Sequence, residues 1–180
     1  SREENCRLIL TNLPRGITEK TLLDALSLHR PLGRVWGCRV APAALGSKTT
    51  TADLIMFTER DAQKVFFLVN RGRLAIGGLN TIIRYNTAHP IVPERPLAPL
   101  SRSLVFRGPK EIVDVHRLYR FLSSKMKFQT QDVYVADVNE EERIVEWVFA
   151  SYQGQAQVAK AILKHEYPNL ILRYGEDPMA

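Results

Sequence analysis

The sequence predicts an α+β chain made of two consecutive β-α-β-β-α-β units, each a four-stranded antiparallel sheet carrying two helices on one face. Three observations predict it. The same order of strand-like and helix-like patterning occurs twice. A stretch with neither pattern, residues 87–100, separates the two runs and holds Pro90, Pro93, Pro96 and Pro99. Short segments also recur: Ile82-Ile-Arg-Tyr near the end of the first run matches Ile171-Leu-Arg-Tyr near the end of the second. Residues 1–86 and 101–180 are therefore expected to be domains, joined by a proline-rich linker over 87–100. With 180 residues, 45% of them hydrophobic, two small cores are affordable.

In the first unit, the apolar run at residues 8–13 suits a buried strand. Pro14–Gly16 reads as a turn. Thr18 can cap a helix reaching residue 28, with Leu22, Leu23, Ala25 and Leu26 forming the buried stripe. Pro31 and Gly33 stop that helix. Residues 35–40 and 51–57 read as strands around a loop at 41–49. A second helix is predicted over 61–69 from the spacing of Ala62, Val65, Phe66 and Val69, and residues 81–85 close the unit as a strand.

The second unit repeats the order. Residues 104–106 form a strand, and residues 114–123 carry Val115, Leu118, Tyr119 and Leu122 at helical spacing. Strands over 132–138 and 143–150 flank the acidic turn Asn139–Glu142. A helix is predicted over 155–164 and a last strand over 170–174. The strand at 143–150 has two allowed registers, because side chains alternate between faces. One turns Trp147 and Phe149 inward; the other turns Val145 and Trp147 outward, with Phe149 beyond them.

The first unit resembles the RNA-recognition-motif (RRM) family. Its LILTNLP is similar to the family's first-strand motif, ITEKTLLDAL to the first helix and ERDAQKV to the start of the second. In the second unit, SLVFRGP and QAQVAKAI resemble the corresponding segments. The resemblance implies tandem ferredoxin-like domains and single-stranded RNA as the ligand. In this family, exposed sheet aromatics stack on unpaired bases while basic residues hold phosphates. Here the aromatic positions fall on Ile9, Thr51 and Asp53, with Thr49 at the leading basic position, and on Val105 in the second unit. Stacking contributes ~1–3 kcal/mol per base, so a degenerate set implies modest affinity.

Charge supports a basic ligand-binding half. Residues 1–86 hold 13 Lys and Arg against 7 Asp and Glu, whereas residues 101–180 hold 11 of each. A basic surface attracts phosphate, although +6 also suits a solvated surface. The candidate RNA contacts are Arg39 and Arg84 on strands, Lys48 in the loop between strands two and three, and Arg71 and Arg73 after the second helix. The second unit is expected to serve mainly protein contacts or self-association, through Trp147 and Phe149. The competing reading is an RRM-like protein-interaction module with little RNA binding.

Other chemistries lack a signature. The four histidines have no metal-ligand spacing, Ile76-Gly-Gly-Leu lacks the Lys-Ser/Thr of a phosphate loop, and no nucleophile has a recognisable setting. Neither enzyme activity, a metal nor a cofactor is therefore expected. Cys6 and Cys38 form no CxxC pair, which suits a reducing compartment. No apolar run approaches a membrane span. An intracellular location is expected, with the nucleus favoured over the cytoplasm.

Overall fold

A computed structural model describes residues 5–93 and 100–180. The chain forms two compact units, Ser1–Ala98 with Pro178–Ala180, and Pro99–Asp177. Part of the expected linker, residues 94–99, lies outside the described residues. The part before it packs along the first unit: Cys6 N–H donates to Ile91 O (2.8 Å) and Asn5 Nδ2 to Asn86 O (2.9 Å).

The first unit runs β1 (Arg7–Pro14), α1 (Glu19–Ser27), β2 (Val35–Val40), β3 (Thr49–Met56), α2 (Glu59–Asn70), β4 (Ala75–Ile76), β5 (Leu79–Asn80) and β6 (Ile82–Tyr85). Its main sheet is antiparallel in the order β2-β3-β1-β6. Both helices start on threonine caps, whose hydroxyls satisfy otherwise unpaired first-turn N–H groups. Thr18 accepts from Thr21 N, and Thr58 from Asp61 N. Leu22, Leu23 and Leu26 of α1 and Ala62, Val65 and Val69 of α2 are buried, as are Leu8, Leu10, Ala52 and Leu54 on the strands. These side chains form the core between sheet and helices.

The short hairpin β4–β5 was not expected from the sequence. Gly77 and Gly78 both take positive φ, 58° and 77°, the conformation a two-residue type I′ turn demands. The Gly-Gly pair is thus a chain reversal.

The second unit runs β7 (Ser103–Pro109), α3 (Val115–Lys125), β8 (Thr130–Asp137), β9 (Glu142–Phe149), α4 (Gln157–Glu166) and β10 (Ile171–Tyr174), with sheet order β10-β7-β9-β8. Asp114 caps α3. The last helix begins later than expected, because Gln153 is extended and Gly154 sits at φ 69° within the preceding irregular turn. Apart from the β4–β5 hairpin, both units therefore have the β-α-β-β-α-β order and the antiparallel pairing of a ferredoxin-like fold. No helix among the described residues is long and apolar enough to cross a membrane.

Trp147 and Phe149 take the inward register. Trp147 pairs with Leu104 on one side and Val133 on the other, and both aromatic side chains are buried, at 1% and 0% exposure. Neither is available as a surface protein contact. The expectation based on them is corrected: their area goes into the core, where Trp147 Nε1 donates to Thr130 Oγ1 (2.9 Å).

Candidate nucleic-acid interface

Strand alternation decides which side chains of the first unit face away from the helices. The buried set Leu8, Leu10, Ala52 and Leu54 marks the inner face. Arg7, Ile9, Thr51, Asp53, Arg39 and Arg84 alternate with it and therefore line the open face. Pairing places four of them in one row across the sheet: Arg39 on β2, Asp53 on β3, Ile9 on β1 and Arg84 on β6. The positions where the family resemblance implies aromatics are confirmed as open-face positions, occupied by Ile9, Thr51 and Asp53. They offer no ring for a base.

The charges of this face are not equivalent. Arg7 sits diagonally from Asp53 and clamps its carboxylate, with Nε at 2.8 Å from Oδ1 and Nη2 at 2.7 Å from Oδ2. The hydrogen bond to Asp53 is the main cause that pushes the Arg7 guanidinium above its ordinary pKa. Asp53 is the sole acid on the described open-face strand positions, and it is committed to this bidentate pair. Arg39 and Arg84 are exposed, and neither makes an ion pair or side-chain hydrogen bond among the described residues. Three strand spacings separate them, about 14 Å.

Lys48, Arg71 and Arg73 are also exposed, but they do not lie on this face. Lys48 immediately precedes β3, whose first residue Thr49 pairs with Pro14, and its carbonyl accepts from Arg15 N–H (3.0 Å). Helix α2 starts at the opposite end and spans about 18 Å, delivering Arg71 and Arg73 near the end where β1 finishes. Asn12 Nδ2 donates to Asn80 O (2.8 Å), tying the following hairpin to β1 there. These three basic residues form a rim at one end of the sheet, while Arg39 and Arg84 occupy the face itself. Sequence reasoning omitted Arg7 from the face, although it lies two residues before Ile9 and period-two alternation places it there.

The second unit has an equivalent row, Arg173, Val105, Glu146 and Tyr134, so Arg173 occupies the place of Arg84. This face is closed at one end. Glu146 accepts from Ser103 Oγ (2.5 Å), and Gly175 N–H donates to Ser103 O (3.0 Å). A Cβ at Gly175 would stand 2.4 Å from Ser103 Oγ and 2.6 Å from Glu146 Oε1, so the residue that continues β10 is packed tightly against the Ser103 and Glu146 side chains. Val105 and Val148 are buried although they alternate onto this side. Asp177, in the same segment, forms a buried ion pair with Arg102.

No protein-family model and no curated protein matches the chain. Among solved structures, the chain is similar to the Sex-lethal RNA recognition domains 1 and 2 from Drosophila melanogaster. The identity is 18% and the TM-score 0.38, over 95% of this chain and 100% of that one. It is similar also to the first two RRM domains of the yeast poly(U)-binding protein, at 16% identity and TM-score 0.38, over 94% and 99% of the two chains. A complex of two RRM domains matches 46% of this chain and 94% of its own, at 18% identity and TM-score 0.38. At these values the fold rests on the element order and strand pairing seen in the chain itself.

Proposed function

We propose that the chain binds single-stranded RNA, with the open sheet face of the first unit as the principal surface. The carrying observation is the row Arg39–Asp53–Ile9–Arg84, in which the one acid is held by Arg7 and neither terminal arginine is paired among the described residues. Arginine presents planar donors suited to phosphate oxygens. Two such groups on one rigid sheet can hold two phosphates of one strand. The rim of Lys48, Arg71 and Arg73 extends the positive surface beyond the end of β1. Ile9 and Thr51 offer a flat, ringless floor, so affinity comes mainly from charge, and it is modest and salt-dependent.

The test is a titration of the isotopically labelled full chain with a mixed-sequence 12-mer RNA, followed by amide chemical shifts. Perturbations concentrated on β1, β2, β3 and β6 support the reading. A lack of perturbation there, at RNA concentrations saturating for ordinary weak binders, overturns it. The absent aromatics favour one competing function, a protein-interaction module. In that case the RNA titration is silent and a protein partner moves the same amides.

A further inference from the structure

The balanced charge of the second unit conceals a separation. Residues 115–128, covering α3 and the turn after it, hold Arg117, Arg120, Lys125 and Lys127 and no acid. The β8–β9 hairpin, residues 130–149, holds six Asp and Glu against Arg143 alone. The negative charge of this unit is therefore concentrated in the β8–β9 hairpin, while the other two strands contribute Arg107 and Arg173. The unit's helical side carries the positive charge.

An aromatic ladder rises from the core to that positive side. Phe149 and Trp147 lie nearly parallel (16°) with centroids 6.0 Å apart, and Tyr119 continues the stack over Trp147 at 6.4 Å and 8°. Phe128 meets Tyr119 edge-on at 5.7 Å. Phe149 and Trp147 are buried, whereas Tyr119 is 53% exposed. Tyr119 thus stacks on a buried ring while about half of its own surface is exposed. Exposed Arg120 follows it directly on α3, exposed His116 lies one turn before it, and exposed Lys127 adjoins its edge-on partner Phe128.

We infer that the surface around Tyr119, on α3 and the turn after it, is a second binding surface for single-stranded nucleic acid, with Tyr119 stacking on a base and Arg120 and Lys127 holding flanking phosphates. Single-stranded binders combine a positive track with aromatic platforms, and a platform already immobilised loses little entropy on binding. An acidic peptide would satisfy the charges but has no use for an exposed flat ring held rigid. The inference shares with the previous section the reading that the chain binds RNA, but it concerns another surface and other residues.

Its test uses the full chain, fluorescence anisotropy and three labelled probes: an oligouridylate 12-mer, an abasic 12-mer of the same charge and a 12-mer polyglutamate. Tyr119→Leu keeps an apolar cover over Trp147, and Tyr119→Phe keeps the ring. Unchanged urea midpoints and far-ultraviolet circular dichroism certify the fold of each variant. In a protein already carrying Arg39→Ser and Arg84→Ser, which separates this surface from the first, the oligouridylate should weaken about fivefold or more with Tyr119→Leu. The abasic probe should not respond to that change, Tyr119→Phe should bind normally, and Arg120→Ser with Lys127→Ser should weaken both nucleic-acid probes. Oligouridylate binding indifferent to Tyr119→Leu and to the Arg120–Lys127 change overturns the inference, whatever the Arg39–Arg84 change does. Polyglutamate binding that depends equally on Tyr119 overturns it in favour of an acidic peptide.

Discussion

Arg7 reaches diagonally across two neighbouring strands to grip both carboxylate oxygens of Asp53, and this pair sets the charge of the open face. Without Arg7, Asp53 would oppose phosphate at the centre of the row. Without Asp53, Arg7 would join Arg39 and Arg84 as a third available cation. Asp53→Asn is therefore expected to tighten RNA binding and to steepen the log–log salt dependence by up to about 0.7, one phosphate's worth on a single strand. The pair is partly solvated, so the same change should lower stability by no more than about 1 kcal/mol. Anisotropy titrations at several salt concentrations and urea unfolding read the two effects.

Trp147 is a core residue, and its removal should act on stability. Trp147→Ala is expected to cost roughly 3–5 kcal/mol, typical of a large aromatic deleted from a packed core. Trp147→Phe should cost less, because the ring contacts with Phe128 and Phe149 are partly kept. Urea denaturation of the second unit's transition measures both. A near-zero cost for Trp147→Ala would show that the side chain is not packed as described.

The start of the first helix was legible because Thr18 carries its own chemical signal, a side chain able to accept a first-turn N–H, whereas Thr58, the equivalent cap of α2, was not read as one. The strand at 35–40 was legible because Pro31 and Gly33 isolate it. The face of Trp147 was not, because Ile144, Val145, Trp147, Val148 and Phe149 are apolar on both parities and alternation cannot choose between them. Both parities are apolar because Val148, on the sheet's outer side, is buried as well, at 1% exposure. The open face of the first unit was legible at Ile9 and Arg39. Asp53 was expected to face outward, but its partner Arg7 required the diagonal pairing of two strands. Tyr119 read as a buried helix position, since nothing local announces that it ends a ladder built on β9.

Arg102 and Asp177 are both fully buried in the second unit. The Arg102 Nε lies 3.2 and 3.1 Å from the two Asp177 oxygens, and its Nη1 donates to Gln131 Oε1 and to Phe149 O. Asp177→Ala leaves a guanidinium buried without its counter-charge, and a loss of about 3–5 kcal/mol is expected. Replacing both partners together, Arg102→Met with Asp177→Leu, should cost less than Asp177→Ala alone, because no charge is then stranded. Equilibrium unfolding of the three variants checks the order.

Tyr174 gives the second unit an alkaline limit. Burial, followed by the neighbouring Tyr152, pushes its hydroxyl from the ordinary 10.0 up to about 12. Below pH 10 the hydroxyl is protonated in both folded and unfolded chains, and its stabilising effect is fully present. Between pH 10 and about 12 the unfolded chain gives up this proton first, so folding stability falls as pH rises. Tyr174→Phe should flatten that part of the stability profile, measured by urea unfolding at a series of alkaline pH values. An unchanged profile would place the alkaline loss on other groups.

The salt dependence of RNA affinity tests the central claim most directly, comparing the unaltered chain with the Arg39→Ser, Arg84→Ser double variant. If Arg39 and Arg84 each hold a phosphate, the double variant binds more weakly and its log–log salt slope is shallower by about 1.4. A double variant with the affinity and slope of the unaltered chain would contradict the assignment of RNA binding to this face.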